Sequence, residues 1–180
     1  MKVKFGLKNV HIAPWDEANS TYGTVFALEG AVNLSIDAEG EESNFAADDD
    51  AKYFSQYSNN GYSGSLEVAL LNDDFLTKIL GQTKDRNGAL IENTSDTIVP
   101  FALMFEVQGD VEQRRTVLYK VSASRPSTSE STTAEGIEVQ TETVNITCGG
   151  HPTTGDVKAS LLSTDTGYDT FFDAPYTKTV

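Results

Sequence analysis

The sequence predicts a mainly β fold: an antiparallel β-sandwich or barrel-like protomer with one flanking α-helix. Short segments with alternating or continuous apolar residues recur along the chain, at 66–70, 101–107, 116–121 and 143–147. Asn-Gly and Gly-Asp pairs, which favour tight turns, lie between such segments. No repeat or linker divides the 180 residues, so a single domain spanning 1–180 is predicted.

The N-terminal third is predicted to contain two strands and a long connection. Residues 2–12 alternate lysines with apolar residues, which indicates a strand with one wet face and an N-terminal arm of about residues 1–12. A kink is expected at Pro14, and residues 31–37 alternate as a half-buried strand. The stretch that follows is acidic and aromatic, and we expect a long loop there, at about 39–61.

One helix is predicted at about residues 72–81. Asn72 can cap its N-terminus, Asp73 and Asp74 follow in the first turn, where the helix dipole favours them, and Gly81 ends it. The apolar residues of this segment have the spacing of one buried face: Phe75, Leu76, Ile79 and Leu80.

The remainder of the chain is predicted as strands joined by turns. Asn87-Gly88 marks a hairpin, and a strand at 64–71 precedes the helix. The later elements are a pair formed by 101–107 and 114–124 across Gly109-Asp110, a polar loop at 126–136, a strand at 137–148, and a C-terminal tail at about 151–180. Whether the tail closes the domain or contacts a neighbouring subunit stays open.

Composition excludes several classes of function. The formal net charge of −14 disfavours tight binding to nucleic acid or to anionic membranes. A single cysteine, Cys148, cannot form an internal disulfide, which favours synthesis in a reducing compartment. No signal-peptide core and no apolar run near the roughly 20 residues of a membrane helix occur, so no membrane association is predicted.

The chain offers little catalytic chemistry. Cys148 and His151 have a metal-like spacing but lack two further ligands, and a cysteine packed as a small hydrophobe is favoured. The acidic stretch with Asp37, Glu39, Glu41 and Asp48 loosely resembles a calcium loop without its glycine, so solvated carboxylates are favoured over a structural Ca²⁺. No catalytic, cofactor-binding or metal-binding residue is predicted, and no enzymatic activity.

Several stretches together resemble the major tail protein (tail tube protein) of long-tailed, siphovirus-type bacteriophages, chiefly those of Gram-positive hosts. They are spread in order over residues 2 to about 150, so the likeness is global: 3–11 (VKFGLKNVH), 30–42 (GAVNLSIDAEGEE), 59–69 (NNGYSGSLEVA), 100–106 (PFALMFE), 114–119 (RRTVLY) and 141–143 (TET). The tail from 151 to 180 matches less clearly.

The resemblance implies a structural virion protein with the phage tail tube fold. Six protomers would form a ring whose inner strands close into one barrel, and the rings would stack into the tube that conducts DNA during ejection. It further implies contacts with the tape measure protein and with tail terminator or distal tail proteins. The protein would be made in the host bacterial cytoplasm and reside in the virion tail.

Two expectations concern specific surfaces. The segment 39–61 is expected to be flexible in the free protomer and to order on ring stacking, so that deleting 43–57 would leave a folded domain unable to form long tubes. The lumen is expected to be acidic and to pass duplex DNA without tight binding, with four candidate carboxylates: Glu67, Glu106, Glu138 and Glu142. These four could equally lie on the outer surface and serve solubility.

A soluble β-sandwich binding module for carbohydrate or protein is the alternative function. In that case the aromatic residues between positions 45 and 57 would form the binding face: Phe45, Tyr53, Phe54 and Tyr57.

Overall fold

The computed structural model describes residues 6–109, 111–128 and 139–179. Thirteen strands and one helix occur there. They are β1 (Leu7–Asp16), β2 (Thr21–Tyr22), β3 (Phe26–Ala27), β4 (Ala31–Glu39), β5 (Glu42–Ala47), β6 (Asp50–Tyr57), β7 (Gly61–Val68), α1 (Asp73–Lys78), β8 (Thr83–Lys84), β9 (Leu90–Ile91), β10 (Phe101–Val107), β11 (Arg115–Ala123), β12 (Glu142–Gly149) and β13 (Lys158–Leu161). The predicted mainly β, antiparallel fold with one short helix is confirmed.

Nine strands form one sheet in the order β2-β1-β10-β11-β12-β7-β4, with β3 beside β1 and β13 beside β11. A register shift in the β10–β11 pairing bends this sheet, and β11 contributes to both halves. The bend lets β1 and β4, which are far apart in the strand order, approach each other across one core.

The main core lies inside the bend and collects apolar residues from both halves of the sheet. Strand β10 is buried on both sides, because alternate residues face two separate clusters. The largest fully buried members of the main core are Ile12, Leu28, Leu66, Phe75, Ile79, Phe101, Leu103, Leu118 and Ile146. A second cluster on the opposite side of β10 and β11 contains Met104, Val117, Tyr168 and Phe171.

Helix α1 is shorter than predicted but keeps its expected caps. The side chain of Asn72 accepts the Phe75 N–H at 2.9 Å, and the aspartates at 73 and 74 lie in the first turn. The chain leaves the helix at Ile79, and Gly81 adopts a φ of +78°, the left-handed conformation that glycine tolerates best. Phe75 contacts Phe101 edge to face and anchors the helix to the core.

In the N-terminal region the predicted strand is present over its described part, whereas the predicted kink is absent. Residues 7–12 belong to β1 and pair with β10, with Val10 and Ile12 in the core. Pro14 continues the strand instead of kinking it. It lacks an N–H, but its carbonyl accepts the Gly23 N–H at 2.8 Å, which ties this part of β1 to the segment that follows β2. Residues 1–5 lie outside the described residues.

The loop predicted at 39–61 is also wrong, because this segment forms a β-hairpin. Strands β5 and β6 pair from Glu42–Tyr57 to Ala47–Asp50, with a register shift between Phe45 and Ala47. Asp48 and Asp49 form the two-residue turn with φ values of 50° and 62°, the left-handed pair that a tight hairpin turn requires. The hairpin has no buried face, which is why its sequence lacks the apolar alternation of a strand.

Other boundaries shift modestly. The strand predicted at 64–71 is β7, which begins at Gly61 and ends at Val68. The hairpin at Asn87-Gly88 is present as β8 and β9, and the pair around residue 110 is β10 and β11. The strand predicted at 137–148 is β12, Glu142–Gly149. Asp110 and residues 129–138, which include most of the predicted polar loop, lie outside the described residues.

The C-terminal tail closes the second core cluster. Strand β13 pairs with β11, and Tyr168 and Phe171 are buried against the side of the sheet that faces away from the main core. Arg115 fixes this segment, because its guanidinium lies 3.8 Å from the Tyr168 ring centroid and 4.8 Å from that of Phe172, and donates to the Tyr168 carbonyl.

Candidate assembly surfaces

Nearly every residue of the hairpin β5–β6, residues 42–57, is exposed, and its four aromatic side chains face solvent. Phe45 is 63% exposed, Tyr53 63%, Phe54 54% and Tyr57 72%. Such a density of uncovered rings on one small element marks an interaction site.

The four rings lie on both faces of the hairpin. Phe45 and Phe54 are direct cross-strand partners and share one face. Tyr53 and Tyr57 are an odd number of residues from Phe54 along β6, so strand alternation places them on the opposite face. The exposed rings are therefore divided between the two faces of the hairpin.

The hairpin continues the sheet. The Ser58 N–H donates to the Glu41 carbonyl at 2.9 Å, and the Asn60 N–H donates to the Glu39 carbonyl at 2.8 Å, so the β4–β7 ladder runs on into β5–β6. At Gly40 a Cβ atom would lie 2.2 Å from the Ser58 carbonyl oxygen, so only glycine permits this close junction. The expectation of a loop that orders only on ring stacking is therefore replaced by a hairpin already formed in the protomer.

An ion pair braces the hairpin from within. Lys52 Nζ lies 2.8 Å from Glu42 Oε1, and the Ser55 hydroxyl donates to the same oxygen at 3.0 Å. These hydrogen bonds, that from Lys52 first, lower the pKa of the Glu42 carboxyl. The carboxylates at the tip, Asp48 to Asp50, stay beyond this brace and keep the end of the hairpin acidic.

A second surface is the outward side of the four strands β4, β7, β12 and β11, which we call the polar sheet face. Cross-strand partners on it form rows of small polar residues: Asn33–Glu67–Thr143, Ser35–Ser65–Asn145, Asp37–Ser63–Thr147–Ser122 and Glu39–Gly61, with Gly149–Lys120 beside it. No aromatic or large apolar side chain interrupts these rows. Three carboxylates (Asp37, Glu39 and Glu67) stand against one lysine, so the face is smooth and mildly acidic.

The structure separates the four carboxylates that the sequence grouped as lumen candidates. Glu67 lies on the polar sheet face and accepts a hydrogen bond from Thr141 at 2.7 Å. Glu142 shares its side of β12 with the core residue Val144 and accepts the Leu71 N–H at 2.6 Å. Glu106 is buried on β10, so its placement opposite the core is wrong. Glu138 lies outside the described residues.

Glu106 is the centre of a buried ionic cluster that sequence alternation did not reveal. Lys8 lies 3.0 Å from Oε1, while Arg115 and the Asn9 amide lie 3.3 Å and 3.1 Å from Oε2. Asn9 reaches it from a bulge in β1 with a φ of 52°. Burial by itself raises the pKa of the Glu106 carboxyl, but the hydrogen bonds from Lys8, Asn9 and Arg115 outweigh it, and the pKa lies below its usual value.

We expect Glu106→Gln to lower the free energy of unfolding by about 2 kcal/mol at pH 7, because the neutral amide removes the charge that pairs with Lys8 and Arg115 and replaces one acceptor oxygen by an NH2 donor. A carboxyl whose pKa is depressed by folding stabilises the fold above its unfolded pKa and loses that effect as pH falls through the folded pKa. The difference between wild type and variant should therefore shrink below about pH 4. Urea unfolding between pH 3 and pH 7 measures it.

The matched control is Glu92→Gln, which removes an exposed ion pair with Arg125. Such pairs contribute about 0–1 kcal/mol, so this change should matter little at either pH. Equal effects of the two substitutions at pH 7 would contradict the structural role assigned to Glu106.

A third surface is an apolar groove of about 390 Å³ between the bent halves of the sheet, where β1 and β10 approach β4. We call it the seam groove. Its apolar lining consists of Leu7, Val32, Leu34, Ile36, Phe105 and Val107. The edge of β4 that borders it pairs with no strand among the described residues, since β4 ends the strand order.

The residues considered for metal binding are not gathered into a site. Within the described ranges, no group of three or more His, Cys, Asp or Glu side chains is placed to hold a metal ion. Asp37 and Glu39 lie on β4, and Asp48 lies at the hairpin tip. Cys148 is buried on β12, where burial raises the pKa of its thiol to about 11.

His151 instead belongs to an aromatic cluster. Its ring contacts Trp15, Tyr22 and Tyr119 edge-on at centroid distances of 5.3, 5.6 and 5.7 Å, beside a cavity of about 450 Å³. The Tyr119 hydroxyl donates to the Tyr176 carbonyl at 2.8 Å, so this cluster holds the end of the C-terminal tail. The described part of the chain contains no helix long and apolar enough to span a membrane.

Neither a protein-family model nor a curated relative matches this sequence. Among solved structures, the chain is similar to the anti-feeding prophage cap, described as the AFP tube terminating cap. That match has 9% identity, covers 91% of this chain and 95% of that chain, and has a TM-score of 0.46. It is also similar to a chain of the anti-feeding prophage baseplate (12% identity, 89% and 97% coverage, TM-score 0.41). At these values the likeness carries no conclusion about function.

Proposed function

We propose that this protein is a non-enzymatic structural subunit that assembles into hexameric rings, which stack into the tail tube of a siphovirus-type phage. The observation that carries the proposal is the hairpin β5–β6, a preformed projection with uncovered aromatic residues on both faces. A protomer that stayed alone in solution would keep these apolar rings exposed to water, which is unfavourable. The sequence resemblance over residues 2 to about 150 supplies the identity of the assembly.

The free edge of β4 supports the same function. An unpaired strand at the end of a large sheet is a template for pairing with another chain, and closing sheets between subunits removes that hazard. Head-to-tail contacts between different surfaces of identical subunits produce rings when the rotation closes and filaments when it does not. A tube of stacked rings needs one contact that closes a ring and another that continues from ring to ring.

Electron microscopy of the purified full-length protein tests the proposal. We expect rings with six-fold symmetry that associate into tubes as concentration rises. A monodisperse monomer at all concentrations, or assemblies of another symmetry, would contradict it. Tape measure, tail terminator and distal tail proteins are the partners proposed for the finished virion tail.

The polar sheet face is the surface we assign to the lumen of the tube. Serine, threonine and asparagine side chains offer a smooth, hydrated wall, and the carboxylates Asp37, Glu39 and Glu67 oppose phosphate binding. Only charges close to the DNA affect its binding, since charges more than roughly 8 Å apart are largely screened at physiological salt. The local balance of this face therefore decides the interaction with DNA, rather than the net charge of −14.

We expect assembled wild-type tubes not to bind duplex DNA in a co-sedimentation assay at low salt. The double variant Asp37→Lys/Glu67→Lys should retain DNA, because it converts the wall from acidic to basic. The control Asp169→Lys/Asp173→Lys makes the same change in charge on exposed residues of the C-terminal tail, outside the polar sheet face. Equal DNA retention by both variants would show that the polar sheet face does not line the lumen.

A further inference from the structure

We propose that the seam groove receives the hairpin β5–β6 of a second copy of this chain, with Phe45 and Phe54 entering the groove. This inference rests on the proposed function and identifies the surface that receives the hairpin. The groove is apolar, its residue Val32 is 54% exposed, and its border is the unpaired edge of β4. The hairpin offers the matching chemistry, since one of its faces carries a directly opposed phenylalanine pair.

A single molecule cannot satisfy both surfaces by itself. Leu34 in the groove and Phe45 on the hairpin are eleven residues apart on strands β4 and β5, a separation of roughly 36 Å in extended chain. The junction between the two strands is hydrogen-bonded to its partner strand at Glu39 and Glu41, which prevents the hairpin from folding back. The two surfaces therefore meet only between molecules.

The size of the hairpin fits a protein partner rather than a small ligand. A fully buried aromatic side chain covers about 150–250 Å², so the four rings at their observed exposures offer roughly 500 Å². Stable interfaces bury about 800 Å² per partner, from about 20–30 residues on each side. The Phe45/Phe54 face that enters the groove supplies only part of that area, so the contact with the groove is one portion of a larger interface between the two copies.

The proposed contact is heterologous, because it joins two different surfaces of identical molecules. The hairpin and the groove are different surfaces, so a molecule that donates its hairpin to one neighbour still has a free groove for another. The contact thus propagates in one direction, which is the property that a tube of stacked rings needs.

Cross-linking tests the pairing directly. The double variant Val32→Cys/Ser43→Cys, assembled and treated with a short bismaleimide, should give a ladder of covalent multimers on a denaturing gel. Ser43 is exposed and lies two residues before Phe45 on the same face of β5, so both rings are kept. Either single variant should give no product beyond dimers. The native Cys148 is buried, which keeps it from reacting. The control Val111→Cys/Ser43→Cys places the first cysteine on another exposed valine, and it should give no ladder.

A second measurement needs no cross-linking reagent. Val32→Glu should raise the concentration required for assembly more than about tenfold, because the contact would bury an unpaired carboxylate, whereas Val111→Glu should assemble normally. If wild type assembles and Val32→Glu assembles equally well, or no ladder forms in assembled material, the groove is not the acceptor and the tube function stands. If wild type never assembles, the proposed function itself fails.

Discussion

Replacing the hairpin residues 42–57 by Asn-Gly should leave a folded protomer that no longer forms tubes. Glu41 and Ser58 face each other across the base of the hairpin, joined by the Ser58 N–H to Glu41 carbonyl hydrogen bond, so a two-residue turn can close the shortened ladder. The main core contains no residue of 42–57, and stability of the protomer should change little. We expect complete loss of long assemblies in sedimentation and electron microscopy.

A less drastic variant separates the shape of the hairpin from its apolar surface. Phe45→Ser/Phe54→Ser keeps the Asp48-Asp49 turn and the Glu42–Lys52 pair, yet removes the two opposed rings. Its assembly should also fail, while the control Leu70→Ser, which removes an exposed apolar side chain elsewhere, should assemble like wild type. Normal tubes from the Asn-Gly variant would show that stacking depends on another surface.

Local sequence signals were sufficient for much of the fold. The caps of α1, the Asn87-Gly88 hairpin and the β10–β11 pair each depend on residues close together in the chain, and all three are present. Bulges and contacts between residues far apart in the chain had no such local signal. Glu106 looks like the polar member of an alternating strand, but β10 is covered on both sides and the side chain is buried against Lys8 and Arg115.

The hairpin was missed for a related reason. Strand prediction relies on one buried face, and residues 42–57 have none in the protomer. The available signal was the Asp48-Asp49 pair, since aspartate tolerates the left-handed conformation. The seam groove had no local signal, because it forms only when the bent sheet brings Leu7 and Val107 against Val32.

Phe75→Ala is expected to lower the free energy of unfolding by about 3–5 kcal/mol, the usual cost of removing a buried phenylalanine. Helix α1 spans only six residues, too few to be stable alone, so its structure depends on packing. Phe75 is fully buried, and its ring meets Phe101 at a centroid distance of 5.9 Å and an interplanar angle of 77°. Truncation leaves a cavity beneath the helix and removes this contact.

Assembly would itself add to the apparent stability, so the effect is best measured on the protomer that lacks the hairpin. In that background, urea unfolding of Phe75→Ala is compared with Leu70→Ala, whose side chain is exposed and whose loss should cost no more than about 0.5 kcal/mol. An unchanged slope with a lower midpoint would show lost stability in a protein that still unfolds as one unit. A cost below about 1 kcal/mol for Phe75→Ala would mean that α1 is not anchored in the main core through this side chain.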